Sequence, residues 1–222
     1  MDKCIVHYKI SFHKLTCTLF TLMGKLAMNH INRIKNAGKK RRLLEIGPGR
    51  KRIENFETLN IVGGPNVDYV YDAAKQLPFK DRAFDLIYAS HILEHIPWYQ
   101  TKQVLKEWAR IIKPGGSLEV WVPDGHKICK VMLEADEKKT EGIPDNWKKK
   151  NPNNCPYLWV NGRIFYGVRN DYPSWHKAIF SYSYLEKIFR ALNFSNIIQM
   201  DELNLRGEAR GPINLGIKGT KI

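Results

Sequence analysis

An apolar strand that runs straight into a glycine turn, Leu43-Leu44-Glu45-Ile46-Gly47-Pro48-Gly49, is the feature that most constrains this chain. Without side chains at Gly47 and Gly49, a ligand can approach the backbone and meet N–H groups turned toward it. From Leu43 onward, short apolar strands alternate with helical stretches, the pattern of a parallel sheet with crossover helices. Strands are predicted at 43–47, 57–62, 68–71, 84–89, 117–122, 195–200 and near 213–219. Helices are predicted at 98–112, where Val104, Leu105, Trp108 and Ile111 share a face, at 125–137, and at 183–192 with Leu185, Ile188, Phe189 and Leu192. Lys113-Pro114-Gly115-Gly116 stops the first of these with a turn.

Two departures from a regular α/β domain matter. Only Arg50 to Phe56 separates the glycine turn from the next strand, whereas a parallel crossover ordinarily takes about a dozen residues. The first crossover helix is therefore short, its anion-binding N-terminus is poorly developed, and a pyrophosphate ligand is disfavoured. Lys138 to Trp175 carries charge runs, Pro144, Pro152, Pro156 and Pro173, and the aromatics Trp147, Tyr157, Trp159, Phe165, Tyr166, Tyr172 and Trp175. It reads as a lid inserted over the sheet's C-terminal edge, where open α/β folds place ligands.

With 222 residues, the chain has room for one domain and an appendage. The expected division is a basic extension, 1–42, and a domain, 43–222, with the lid-like insertion at 138–175. Cys4, Cys17, Cys129 and Cys155 fall at no metal or redox spacing. They suggest no disulfide framework, a reducing cytoplasm fits, and no metal site is read from the sequence. Of the net charge of +14, residues 1–52 carry +11, which points to an acidic partner or to a solvated tail. Leu15 to Met28 is amphipathic and too short to span a bilayer, which needs about twenty residues. Either it lies on anionic lipid at the inner membrane face or it packs on its own domain.

Four segments in order then carry a resemblance: Glu45-Ile46-Gly47-Pro48-Gly49; Tyr71-Asp72-Ala73-Ala74-Lys75-Gln76-Leu77-Pro78-Phe79; Phe84-Asp85-Leu86-Ile87-Tyr88-Ala89-Ser90-His91-Ile92-Leu93-Glu94-His95-Ile96; and Leu105 to Pro123. Over about residues 43–124 the chain resembles class I S-adenosylmethionine-dependent methyltransferases of the type 11 kind. With its short first crossover and His176-Lys177-Ala178-Ile179-Phe180-Ser181-Tyr182, it resembles a subgroup of predicted methyltransferases of bacterial surface-polysaccharide synthesis. The resemblance implies a Rossmann-like α/β sheet, mostly parallel with an antiparallel last strand. It implies that Gly47-Pro48-Gly49 passes under the methionine part of the cofactor, with Glu45 near its ammonium group. Asp72 would accept from the adenine amino group and Ala73 would offer its N–H to the ring, with Leu77 packed nearby. The Ser90-His91 backbone would border the methionine end. Asp72 is equally suited to capping a helix. Where such proteins carry an acid for the ribose hydroxyls, Leu59-Asn60-Ile61-Val62 places Val62, so either Asn60 or the Gly63-Gly64 backbone compensates or cofactor binding is weak.

The reaction implied is in-line attack of a substrate oxygen or nitrogen on the sulfonium methyl, helped chiefly by alignment. For a hydroxyl acceptor a histidine base is suited, and His91 and His176 are the candidates, with Asp124 to bind a hydroxyl or polarise a histidine. His95, with Glu94, reads as capping or orienting the next helix. A sugar or glycan hydroxyl is the expected acceptor, with another small molecule or nucleic acid as alternatives. Nucleic acid is disfavoured because the fourth strand ends Ala-Ser-His-Ile and lacks the Asp/Asn-Pro-Pro-aromatic turn of base methylases. A methyltransferase-like domain without turnover is a third reading, and oligomeric state is not indicated.

Overall fold

Alternation along each strand assigns residues to two faces. In β1 (Leu43–Ile46), Leu44 and Ile46 enter the main core, while Leu43 packs against a smaller cluster on the opposite face. The computed structural model describes residues 24, 27–137, 155–165, 174–207 and 213–222. The other strands are β2 (Phe56–Asn60), β3 (Tyr69–Val70), β4 (Phe84–Ser90), β5 (Ile112–Pro123), β6 (Phe194–Met200) and β7 (Asn214–Lys221). They form one seven-stranded sheet in the order β3-β2-β1-β4-β5-β7-β6. β1 to β5 pair in parallel and β7 is antiparallel to both β5 and β6, the expected architecture.

The helices are α1 (27–37), α2 (Thr101–Arg110), α3 (Gly125–Asp136), α4 (Pro156–Ile164) and α5 (Tyr182–Ala191). α2 buries Val104, Leu105 and Trp108 and α5 buries Leu185, Ile188 and Phe189, as periodicity predicts. Both pack into the main cluster with the sheet's inward residues. α4, within the predicted lid, packs Trp159 and Val160 against Ile128 and Val131 of α3. Trp147, Tyr166 and Tyr172 lie outside the described residues, as does the amphipathic segment 15–28 except Gly24, Ala27 and Met28.

Three local outcomes differ from expectation. Residues 47–55 hold no helix, only bends and a turn in which Asn55 adopts φ 64°. The Lys-Pro-Gly-Gly turn lies within β5, between Ile112, paired with Phe84, and Ser117, paired with Leu86, where it is absorbed as an irregularity of register. The third is α1, which lies ahead of the expected boundary at 43 and is docked on the β3 edge. Asn29 donates to Val70 O (3.1 Å) and accepts from Val70 N (2.9 Å). Asn32 donates to Asp68 O (2.7 Å) and Asn36 to the Tyr69 hydroxyl (2.9 Å). This covers an edge whose backbone groups would otherwise be unpaired.

Candidate cofactor site and its histidine wall

The strand order reverses between β1 and β4, the point at which open α/β sheets bind ligands. A cavity of about 340 Å³ opens there, at the carboxyl ends of β1 to β4. Ile46 of β1 and Gly47 just after it line the cavity, with Leu59 and Asn60 of β2, Ile61 just beyond, and Asp72 to Lys75 from the loop after β3. Ile92, His95, Ile96, Pro97 and Gln100 form the wall after β4, completed by Lys177.

Gly47 turns with φ 75° and donates its N–H to Leu59 O at 2.8 Å. A Cβ here would lie 2.0 Å from Ile92 Cδ1 and 2.3 Å from Cγ1, so the missing side chain makes room for Ile92, itself part of the cavity wall. At Gly49 a Cβ would meet nothing within 4 Å. Asp72 Oδ1 accepts from Ala74 N (2.9 Å) and the Ala73 carbonyl accepts from Trp108 Nε1 (3.0 Å), which fixes the loop that carries both residues.

Of the residues expected to hold the cofactor, Gly47, Asn60, Asp72 and Ala73 are brought together on the cavity. Pro48, Gly49, Ser90 and His91 are not among its lining residues. Leu77 is buried in the main core. Val62 lies two residues beyond β2 and is 66% exposed, so the strand-end position belongs to Asn60, whose Oδ1 accepts from Ile61 N at 2.9 Å. Glu45 is buried on the opposite face. Burial raises its carboxyl above the ordinary value, against a bond from the Ile53 backbone and the charge of Arg52, and its Oε2 has no partner among the described residues.

The three residues expected to act on the acceptor fare differently. Asp124 caps α3, accepting from His126 N (2.9 Å) and Lys127 N (3.3 Å). His91, at φ 56°, is held on both ring nitrogens: Nδ1 lies 3.0 Å from Glu94 Oε1 and Nε2 lies 2.9 Å from Asn214 Oδ1. His176 stands behind the cavity wall, its ring 5.0 Å from that of His95. Burial lowers the His176 ring below the ordinary histidine value, against the charge of Glu94. Glu94 is 1% exposed; burial would raise its carboxyl, but the hydrogen bond and charge of His91, with the charge of His95, bring it below the ordinary value.

Sequence reasoning missed Gln100 and Lys177 as cavity residues and gave His95 a capping role. Lys177 is brought in by backbone bonds, its N–H to Glu94 O (2.7 Å) and its carbonyl from Trp98 N (3.2 Å). No local pattern signals such long-range pairing.

The site fits the cofactor implied by the resemblance. Its volume lies in the range of about 300–1,000 Å³ typical of small-molecule sites, and its walls are largely apolar. Asn60 and Asp72 supply convergent polar groups.

Residues 32–120 match the family model described as "Methyltransferase domain". The chain is 24% identical over 80% of its length to a demethylmenaquinone methyltransferase of Staphylococcus saprophyticus, covering 66% of that protein. It is 33% identical over 39% of its length to methyltransferase GfsG of Streptomyces halstedii, covering 28% of that protein. A solved S-adenosylmethionine-dependent methyltransferase from Archaeoglobus fulgidus is 15% identical with a TM-score of 0.46, over 88% of this chain and 93% of that one. The matched segment, the sheet order and the glycine turn agree in likening residues 32–120 to a methyltransferase domain.

Proposed function

We propose that the chain methylates a hydroxyl of a sugar in a glycan or polysaccharide intermediate. The observation that carries the methyltransferase reading is the cavity at the β1/β4 switch point, where Gly47, Asn60, Asp72 and Ala73 converge. Asp72 and Ala73 would hold the adenine end of S-adenosylmethionine, and Asn60 would hold the ribose. When bound, the cofactor would supply an electrophilic methyl to the acceptor oxygen, with the C–S electron pair kept by sulfur and the acceptor proton passing to solvent. The residues around it align the acceptor. His95, Gln100 and Lys177 are the polar part of the wall past which it would enter.

The relative named for demethylmenaquinone favours a second acceptor class, a ring-bearing small molecule against Ile92, Ile96 and Pro97. A methylation assay over nucleotide sugars, lipid-linked glycans, quinols and RNA separates these. Labelling confined to the quinol or to RNA rejects the sugar assignment. For the cofactor site, Asp72→Ala is expected to weaken S-adenosylmethionine binding about 10–100-fold by calorimetry, the scale of a lost hydrogen bond to a charged group. Unchanged affinity would leave Asp72 with its turn-capping bond alone.

We further assign the basic residues of 1–42, apart from the buried Arg42, to an anionic membrane surface at the cytoplasmic face. No described helix is long and apolar enough to cross a membrane. Flotation is expected with anionic vesicles and to be lost at high salt. Equal recovery with neutral vesicles rejects the electrostatic basis.

A further inference from the structure

Behind the cavity wall, one ligand atom from each of Glu94, His95 and His176 lies within 4.8 Å of the other two. Three features make this more than a hydrogen-bonded cluster. His95 Nδ1 meets the Trp175 carbonyl at 3.3 Å and His176 Nδ1 meets the Arg163 carbonyl at 2.8 Å. A carbonyl accepts only from N–H, so both rings carry their proton on Nδ1 and their lone pair on Nε2, the tautomer that binds metal. Glu94 Oε2 is buried with no hydrogen-bond partner among the described residues, while His91 holds the carboxylate at Oε1. The positions are also imposed from outside the cluster. The Arg163 and Phe165 carbonyls, at the end of α4, receive His176 Nδ1 and N, and Glu94 O holds Lys177 N.

The geometry points to a divalent-cation site made by Glu94, His95 and His176 at the rim of the cofactor cavity. Two imidazoles and one carboxylate suit first-row transition cations such as Zn²⁺ better than Mg²⁺ or Ca²⁺, which prefer all-oxygen shells. Ligands sharing a zinc stand about 3.3 Å apart, so His176 Nε2 and Glu94 Oε1, at 4.0 Å, need close by only about 0.7 Å. Three protein ligands leave a coordination position for water or substrate. Because His95 also lines the cavity, the cation would border the space an acceptor oxygen enters. That would provide what Asp124 and His91 do not, a means of lowering the pKa of an acceptor hydroxyl. This role rests on the methyl-transfer reading; cation binding itself does not.

The test uses the full chain, stripped of metal and without S-adenosylmethionine, titrated with Co²⁺ as an optical probe and then with Zn²⁺ in competition. One equivalent of Co²⁺ is expected, with visible d–d bands that Zn²⁺ abolishes, unchanged in the surface variant His30→Ala. His95→Ala and His176→Ala are each expected to lose affinity by about 100-fold or more, since even outer partners of a metal site are worth about 10–100-fold. Cooperative thermal unfolding checks each variant. Where alanine abolishes it, His95→Gln or His176→Gln is used with the same expectation. Absence of saturable binding, or equal binding in wild type and both histidine variants, overturns the site, whatever the methylation assay shows.

Discussion

Replacing Gly47 with alanine is expected to destabilise the domain and to weaken S-adenosylmethionine binding together, and valine more severely. Two costs act at one atom. The backbone holds φ 75°, where a residue with a Cβ is strained by about 1–3 kcal/mol. The new Cβ would also stand 2.0 Å from Ile92 Cδ1, and overpacking of this kind costs about 1–3 kcal/mol. Ile92 can relieve the contact only by moving, and it forms part of the cavity wall. A displacement of about 1 Å at such a site can cost on the order of 100-fold in function. Trimming the obstacle separates the two costs. In Gly47→Ala with Ile92→Ala, the clash is gone and the backbone strain remains, so the double variant should be more stable than the sum of the single losses. Denaturant midpoints over the four-member cycle measure this, with calorimetry for the cofactor. Strict additivity would show that Ile92 is not what the glycine accommodates.

How far the molecule was legible depends on whether the side chains or their partners carried the signal. The central strands were readable because they carry apolar runs: Leu86, Ile87 and Tyr88 in β4, and Leu118, Val120 and Val122 in β5, are all buried. α1 reverses that rule. Its inward residues are Asn29, Asn32 and Asn36, which hydrogen-bond the β3 edge, while Met28, Ile31 and Ile34 are 53–66% exposed. A reading based on apolar periodicity therefore looks to the wrong face. At the site, Gly47 and Asp72 could be placed on the cavity from sequence because each follows closely on a strand. The end of β2 was read two residues late, at Val62 rather than Asn60, because strand ends are poorly marked in sequence. The metal cluster was hidden for a topological reason. His91-Ile92-Leu93-Glu94-His95 has a spacing that joins two histidines on an α-helix, but here it spans a left-handed residue and the short 3₁₀ turn Leu93–His95. His91 turns toward Asn214, and His176, far along the chain, stands in its place.

The basic run Lys39-Lys40-Arg41-Arg42 gives the second large effect, because its last member is not a surface charge. Arg42 makes a two-pronged ion pair with Glu57, Nε to Oε1 and Nη2 to Oε2, both at 2.8 Å, with side chains 11% and 1% exposed. The same carboxylate accepts from the Tyr69 hydroxyl at 2.7 Å, and that hydroxyl accepts from Asn36 of α1. The guanidinium also lies 4.3 Å over the Phe84 ring. Arg42→Met should therefore strand a buried carboxylate and cost about 3–5 kcal/mol. For a chain of this size that is a fall in Tm of about 6–20 °C. Such a loss is large against the roughly 5–15 kcal/mol of a whole domain. Arg42→Met with Glu57→Met removes both charges, and most of the stability should return, because the cost lies in the unpaired charge and not in the absence of the pair. Lys39→Met, at an exposed position of the same run, should change stability by less than about 0.5 kcal/mol. Urea midpoints for the four proteins decide the matter. If Arg42→Met behaves like Lys39→Met, the pair does not hold α1 and β2 together, and Arg42 belongs with the charges available to an acidic partner.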